Sequence, residues 1–120
     1  MSHIVSIRTQ VKDPVAVQAA CQRLQLPIPQ QRTVTLFNSE ATGLAVELPD
    51  WKFPVVCDTA TGELKYDNFK GHWGAESHLH RFLQSYAVEK AKIEAHKQGH
   101  SVREYALTDG SIRVQIAVAS

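Results

Sequence analysis

Hydrophobic and polar positions alternate along several stretches of the chain and follow a helical period in two others. Val5, Ile7, Thr9 and Val11 point one way along the first segment, and Ser6, Arg8 and Gln10 point the other. That period-2 pattern predicts a strand with one buried face. Arg32 to Phe37 alternates again, with Val34 and Leu36 set against Thr33 and Thr35, and Leu44 to Leu48 follows as its partner. Asn38 to Gly43 between them is turn chemistry. Pro49-Asp50 breaks the run, and Trp51 opens an irregular link to Pro54. Val55 to Cys57 and Glu63 to Tyr66 flank the loop Asp58 to Gly62 as a hairpin. Val102 to Leu107 and Ile112 to Val118 flank Thr108-Asp109-Gly110-Ser111. Asp-Gly between alternating apolar residues is the strongest short-range hairpin signal in the chain.

Two segments carry the helical period. Asp13 caps the first and Pro14 suits its first turn, where a missing N–H is no loss. Val17, Ala20, Cys21 and Leu24 form its buried stripe, and it stops before Pro27-Ile28-Pro29. The second runs from about Glu76 to Gln98. Leu79, Phe82, Leu83, Tyr86 and Ile93 share one face with Ala87 beside them, Glu89, Lys90, Lys92, Glu94 and Lys97 mostly occupy the other, and Gly99 ends the helix in left-handed geometry. Strand, helix, several strands, helix and two strands predict an α+β fold: one mainly antiparallel sheet with two amphipathic helices packed on one face. The other face then meets water, a partner or a second copy.

A chain of 120 residues reads as a single domain, 1–120, large enough to need no disulfide or metal staple. The net charge is +1 and the cations are scattered, so no nucleic-acid partner is expected. No apolar run approaches the ~20 residues that span a bilayer, so no membrane partner is expected. The first residues show no secretory signal, and a cytoplasmic protein is expected. Cys21 and Cys57 then read as reduced, buried thiols; a disulfide or redox pair is the other reading, without a C-x-x-C motif to support it.

Chemistry is densest in Tyr66-Asp67-Asn68-Phe69-Lys70-Gly71-His72-Trp73-Gly74. As scaffold, Asp67 or Asn68 caps and turns the chain, the glycines supply special backbone angles, and Phe69 and Trp73 anchor the connection to the core. As a site, Trp51, Asp67, Asn68, Lys70, His72 and Trp73 line a recognition surface or shallow pocket, since a large aromatic beside polar groups on a loop is how binding hot spots are built. The two readings can coexist. Asp58 and Asp67 can also form a carboxylate pair across their hairpin. Six histidines invite a metal, but His78 and His80 diverge by about 200° on a helix, and Gly99 falls between His96 and His100. No paired-cysteine or H-E-x-x-H motif, nucleophile elbow or phosphate-binding loop is present. No catalytic residue, metal site or cofactor is therefore expected.

Met1-Ser2-His3, Thr9 to Asp13, Leu48 to Val56, Gly62-Glu63, Tyr66-Asp67-Asn68, Gly71, Trp73-Gly74, Tyr86 to Lys90 and Asp109 to Ile112 together resemble the family called domain of unknown function 1257. That family includes the hypothetical chloroplast reading frame 35 proteins, and the chain is more similar to its bacterial branch. His72, His78 and His80 depart from the family pattern. The family has no established activity. The resemblance implies important positions around the central stretch and an accessory role in a larger assembly, not a reaction. The function expected is a non-enzymatic module that binds a protein partner or itself. The alternative is a small-molecule or metal-binding protein, or an enzyme, with its site at 66–74.

Overall fold

The computed structural model describes residues 4–37 and 39–118, so Met1-Ser2-His3 and the Asn38 of the first turn lie outside the described residues. Strands β1 (Val5–Arg8), β2 (Gln30–Thr35), β3 (Glu40–Val46), β4 (Val55–Asp58) and β5 (Glu63–Tyr66) form an antiparallel sheet in the order β1-β5-β4-β3-β2. Helix α1 (Pro14–Arg23) carries the chain from the β1 edge to the β2 edge, and α2 (Glu76–Lys97) follows the sheet. Strands β6 (Ser101–Ala106) and β7 (Ile112–Ala117) pair only with each other. The fold is α+β with mainly antiparallel sheet.

Local signals explain the element ends. Asp13 Oδ1 accepts the Val15 and Ala16 N–H groups at 2.9 and 3.3 Å and starts α1. Gly99, at φ +78°, ends α2. Gly62, at φ +82°, turns between β4 and β5 with its carbonyl accepting from both Thr9 N–H (2.9 Å) and Thr9 Oγ1 (2.6 Å).

Both helices cover the sheet face that carries Val46, Val55, Cys57 and Leu64, and Val17, Ala20, Cys21, Leu79 and Phe82 complete that core. The opposite face is not uniform. Val34, Leu36, Ala41, Ala45 and Val56 are buried there under Ile4 and Phe53. The register places Arg8 opposite Glu63, Ser6 opposite Lys65 and Asp58 opposite Glu63 on the remainder, which is therefore polar.

Three sequence expectations change. Not one sheet but two are formed, because α2 is about 33 Å long at 1.5 Å per residue and delivers the chain far along its own length. The short link after it lays β6 back on the helix: Glu104 reaches Lys92 at 3.1 Å and Gly110 O accepts from Gln84 Nε2 at 3.2 Å. Second, β3 begins at Glu40, inside the expected turn, and Leu36 N–H closes on Ser39 O at 2.7 Å. Third, Asp58 and Asp67 form no pair, since Asp58 lies opposite Glu63 and Asp67 follows Tyr66 beyond the other end of β5. The protein is elongated as a result, 56 × 32 × 23 Å.

Candidate interaction surface

The loop between β5 and α2 is built from its own polar groups. Asp67 Oδ1 accepts Phe69 N–H at 3.1 Å. Asn68 O accepts Gly71 N–H (3.0 Å) and Trp73 N–H (2.9 Å), while Asn68 Nδ2 donates to Gly74 O at 3.2 Å. This holds Phe69, Lys70 and Gly71 at φ +46°, +53° and +97°. Two successive non-glycine residues in the left-handed region cost on the order of 1 kcal/mol each, so the bonds to Asp67 and Asn68 offset stored strain. Both side chains are enclosed, at 0% and 2% exposure. Asp67 Oδ2 has no hydrogen-bond partner among the described residues.

The six residues singled out from sequence therefore fall into three groups. Asp67 and Asn68 form the buried frame. Trp51 is half-buried on the helix side: its ring meets Tyr66 edge-on at 5.7 Å, its Nε1–H donates to Ala75 O at 3.0 Å, and Gly74 lies directly under the indole where any Cβ would collide. Lys70 and His72 are exposed, and Trp73 is half-buried away from Trp51. Between the two tryptophans, Lys52 N–H donates to Trp73 O at 2.8 Å.

Trp73 is the hub of an aromatic patch. Its centroid lies 4.7 Å from Phe69, 5.5 Å from Phe37 and 5.8 Å from Phe53, and Phe69 lies 5.0 Å from His72. Lys52 Nζ sits 4.3 Å above the Trp73 ring, a cation–π contact. Phe37 is 52% exposed. Phe37, Phe53 and Lys52 were not singled out from sequence. The readable signals are the alternation over Arg32 to Phe37, which ends on Phe37, and the place of Phe53 beside Pro54.

A groove of about 790 Å³ lies elsewhere, along α2. Leu83, Ala87 and Ala91 face it from the helix and Thr9 to Lys12 from the other wall. Tyr86 pins that wall. Its hydroxyl accepts Lys12 and Asp13 N–H, both at 3.1 Å, and donates to Gln10 O at 3.2 Å. Lys90 rims the groove, and its bonds to Glu94 and Asp13 hold its ammonium above the usual lysine range.

Cys21 and Cys57 are free and buried, and desolvation pushes their thiols up to about 11 and about 12. Among the described residues, no group of three or more His, Cys, Asp and Glu side chains could hold a metal ion, and no helix is long and apolar enough to cross a membrane. No family model, curated protein or solved structure matches the chain.

Proposed function

We propose that the chain is a non-catalytic protein-interaction module that docks its partner on the Trp73 patch. One observation carries the reading: a cluster of four aromatic rings, open at Phe37 and capped by Lys52, stands on a loop whose conformation is already fixed. Preformed aromatic anchors lose little conformational freedom on binding, and such residues dominate interface energies. Lys52, Lys70 and His72 around the rings suit a partner segment with apolar and acidic side chains. Two buried free thiols support a reducing compartment, the cytoplasm.

Quantitative affinity capture with the full chain tests the reading, comparing it with the double variant Phe37→Ser, Lys52→Glu. Both positions are exposed, so thermal stability should hold while the captured partner is lost. A chain that captures nothing, or keeps the same partner after the double change, overturns the proposal.

A further inference from the structure

Among the described residues, no further strand pairs with either outer edge of the β6–β7 hairpin, and one apolar flank is exposed. Glu104 binds both Arg23 (2.6 Å) and Lys92 (3.1 Å), which puts β6 on the α1 side of α2 and β7 on the far side. Among the described residues no strand pairs with the outer edge of β7. Two strands alone are marginal in water. Natural edge strands carry Lys, Pro or a bulge that blocks further pairing. Ile112-Arg113-Val114-Gln115-Ile116-Ala117 has no Lys, Pro or bulge, its single charge at Arg113 lies over the Tyr105 ring of β6 at 4.6 Å, and its register with β6 runs unbroken over the six residues. Leu107, Ile116 and Val118, on the same hairpin, are 46%, 44% and 72% exposed.

We propose that β7 pairs with β7 of a second copy of this chain, antiparallel about a two-fold axis through Val114. The sequence is self-complementary in that register. Ile112 meets Ile116 of the second copy, Val114 meets its own counterpart, and Arg113 meets Gln115, so no like charges face each other. The apolar stripe of one hairpin continues into the other. Four strands span about 19 Å, which suits two helices at 8–10 Å each. Each copy brings one helix. At about 100° per residue, Leu83, Ala87 and Ala91 follow Gln84 and Val88 round α2 on the β7 side. Leu83 and the small Ala87 and Ala91, which floor the groove, then face the α2 of the second copy. The proposal uses no residue of the Trp73 patch and goes beyond the docking reading above.

Sedimentation equilibrium of the full chain with two exposed variants tests it. Gln115→Glu places a carboxylate opposite each Arg113 and should tighten the dimer, whereas Gln115→Arg places like charges opposite and should weaken it. With two such pairs per dimer, each change should move Kd roughly two- to thirty-fold. A monomer at concentrations on the order of a millimolar, or a dimer unmoved by both changes, overturns the proposal. Weakening by Gln115→Glu also overturns it, because a two-fold through residue 115 would set the two introduced carboxylates against each other.

Discussion

The five-stranded sheet and the hairpin alternate equally well in sequence, yet the molecule treats them differently. In the sheet, β4 and β5 are flanked on both sides by strands, and Leu64 and Cys57 are completely enclosed beneath the helices. In the hairpin, Val102, Val114 and Ile112 are only half-covered by one helix, and polar contacts add to the attachment, from Glu104 to Arg23 and Lys92 and from Gln84 to Gly110 O. Alternation reports which residues share a face. How deeply that face is buried depends on what the rest of the chain lays over it.

The sharpest way to break this contrast is to remove equal amounts of apolar side chain from each region. Leu64→Ala should cost about 2–5 kcal/mol in chemical denaturation. Ile112→Ala, which removes the same three carbons, should cost less than about 1.5 kcal/mol, because a half-exposed site collapses or fills with water. Equal losses would mean that the hairpin is as much part of the core as β5.

Alkaline pH should strike the sheet side next. The thiols of Cys57 and Cys21 are raised from 9.0 to about 12 and about 11 in the folded protein. Below the unfolded value both states hold the proton, so the stability these thiols contribute is fully present. As pH rises above about 9 the unfolded chain loses protons that the folded one keeps, and stability should fall by about 1.4 kcal/mol per pH unit for each thiol. Cys57→Ala should remove one thiol's share of that slope. An unchanged slope in the variant would show that Cys57 is not protected by burial.

Tyr86→Phe addresses the joint between the regions. It leaves the N–H groups of Lys12 and Asp13 without their acceptor, and a loss of about 1–3 kcal/mol is expected from thermal melts. Smaller again is Glu104→Gln, worth under about 1 kcal/mol in a partly exposed network. Its effect should be local: hydrogen exchange should speed up in β6 and β7 and not in β4 and β5. The smallest change is expected from Asp67→Asn. It keeps the Oδ1 bond to Phe69 and puts a buried amide nitrogen where an oxygen has no partner among the described residues. Both groups are unpaired there, so their costs largely offset. Stability within about 1 kcal/mol of the parent and unaltered partner binding would fit a frame residue; lost binding would move Asp67 into the docking surface.

Much of the fold is legible wherever the decisive interaction is local. Asp13-Pro14, Gly99 and Asp109-Gly110 act within a turn of themselves, and α1, α2 and the last hairpin end close to where those residues predict. The separation of the hairpin from the sheet was not legible, because it depends on where a 22-residue helix delivers the chain. For the same reason the second buried stripe of α2, Val88 and Ala95, passed unread: it exists to meet β6 and β7. At the candidate site, the chemical richness of 66–74 singled out the loop that carries Phe69 and Trp73 of the aromatic patch. Composition could not separate frame from surface. That division is set by backbone angles at Phe69 and Lys70 and by the linker 51–54, which sends Trp51 to one side of the sheet and Phe53 to the other.

The pairing of β1 with β5 has a consequence for the nascent chain. Arg8 faces Glu63, so the first strand waits 55 residues for its neighbour. At about 5–20 residues per second, this is an interval of about 3–11 s during which Val5 and Ile7 have no sheet to join. The β6–β7 hairpin closes across a five-residue turn as soon as it emerges. The hairpins β2–β3, β4–β5 and β6–β7 thus find their partner strands within a turn, and β1 waits longer for its neighbour than any other strand.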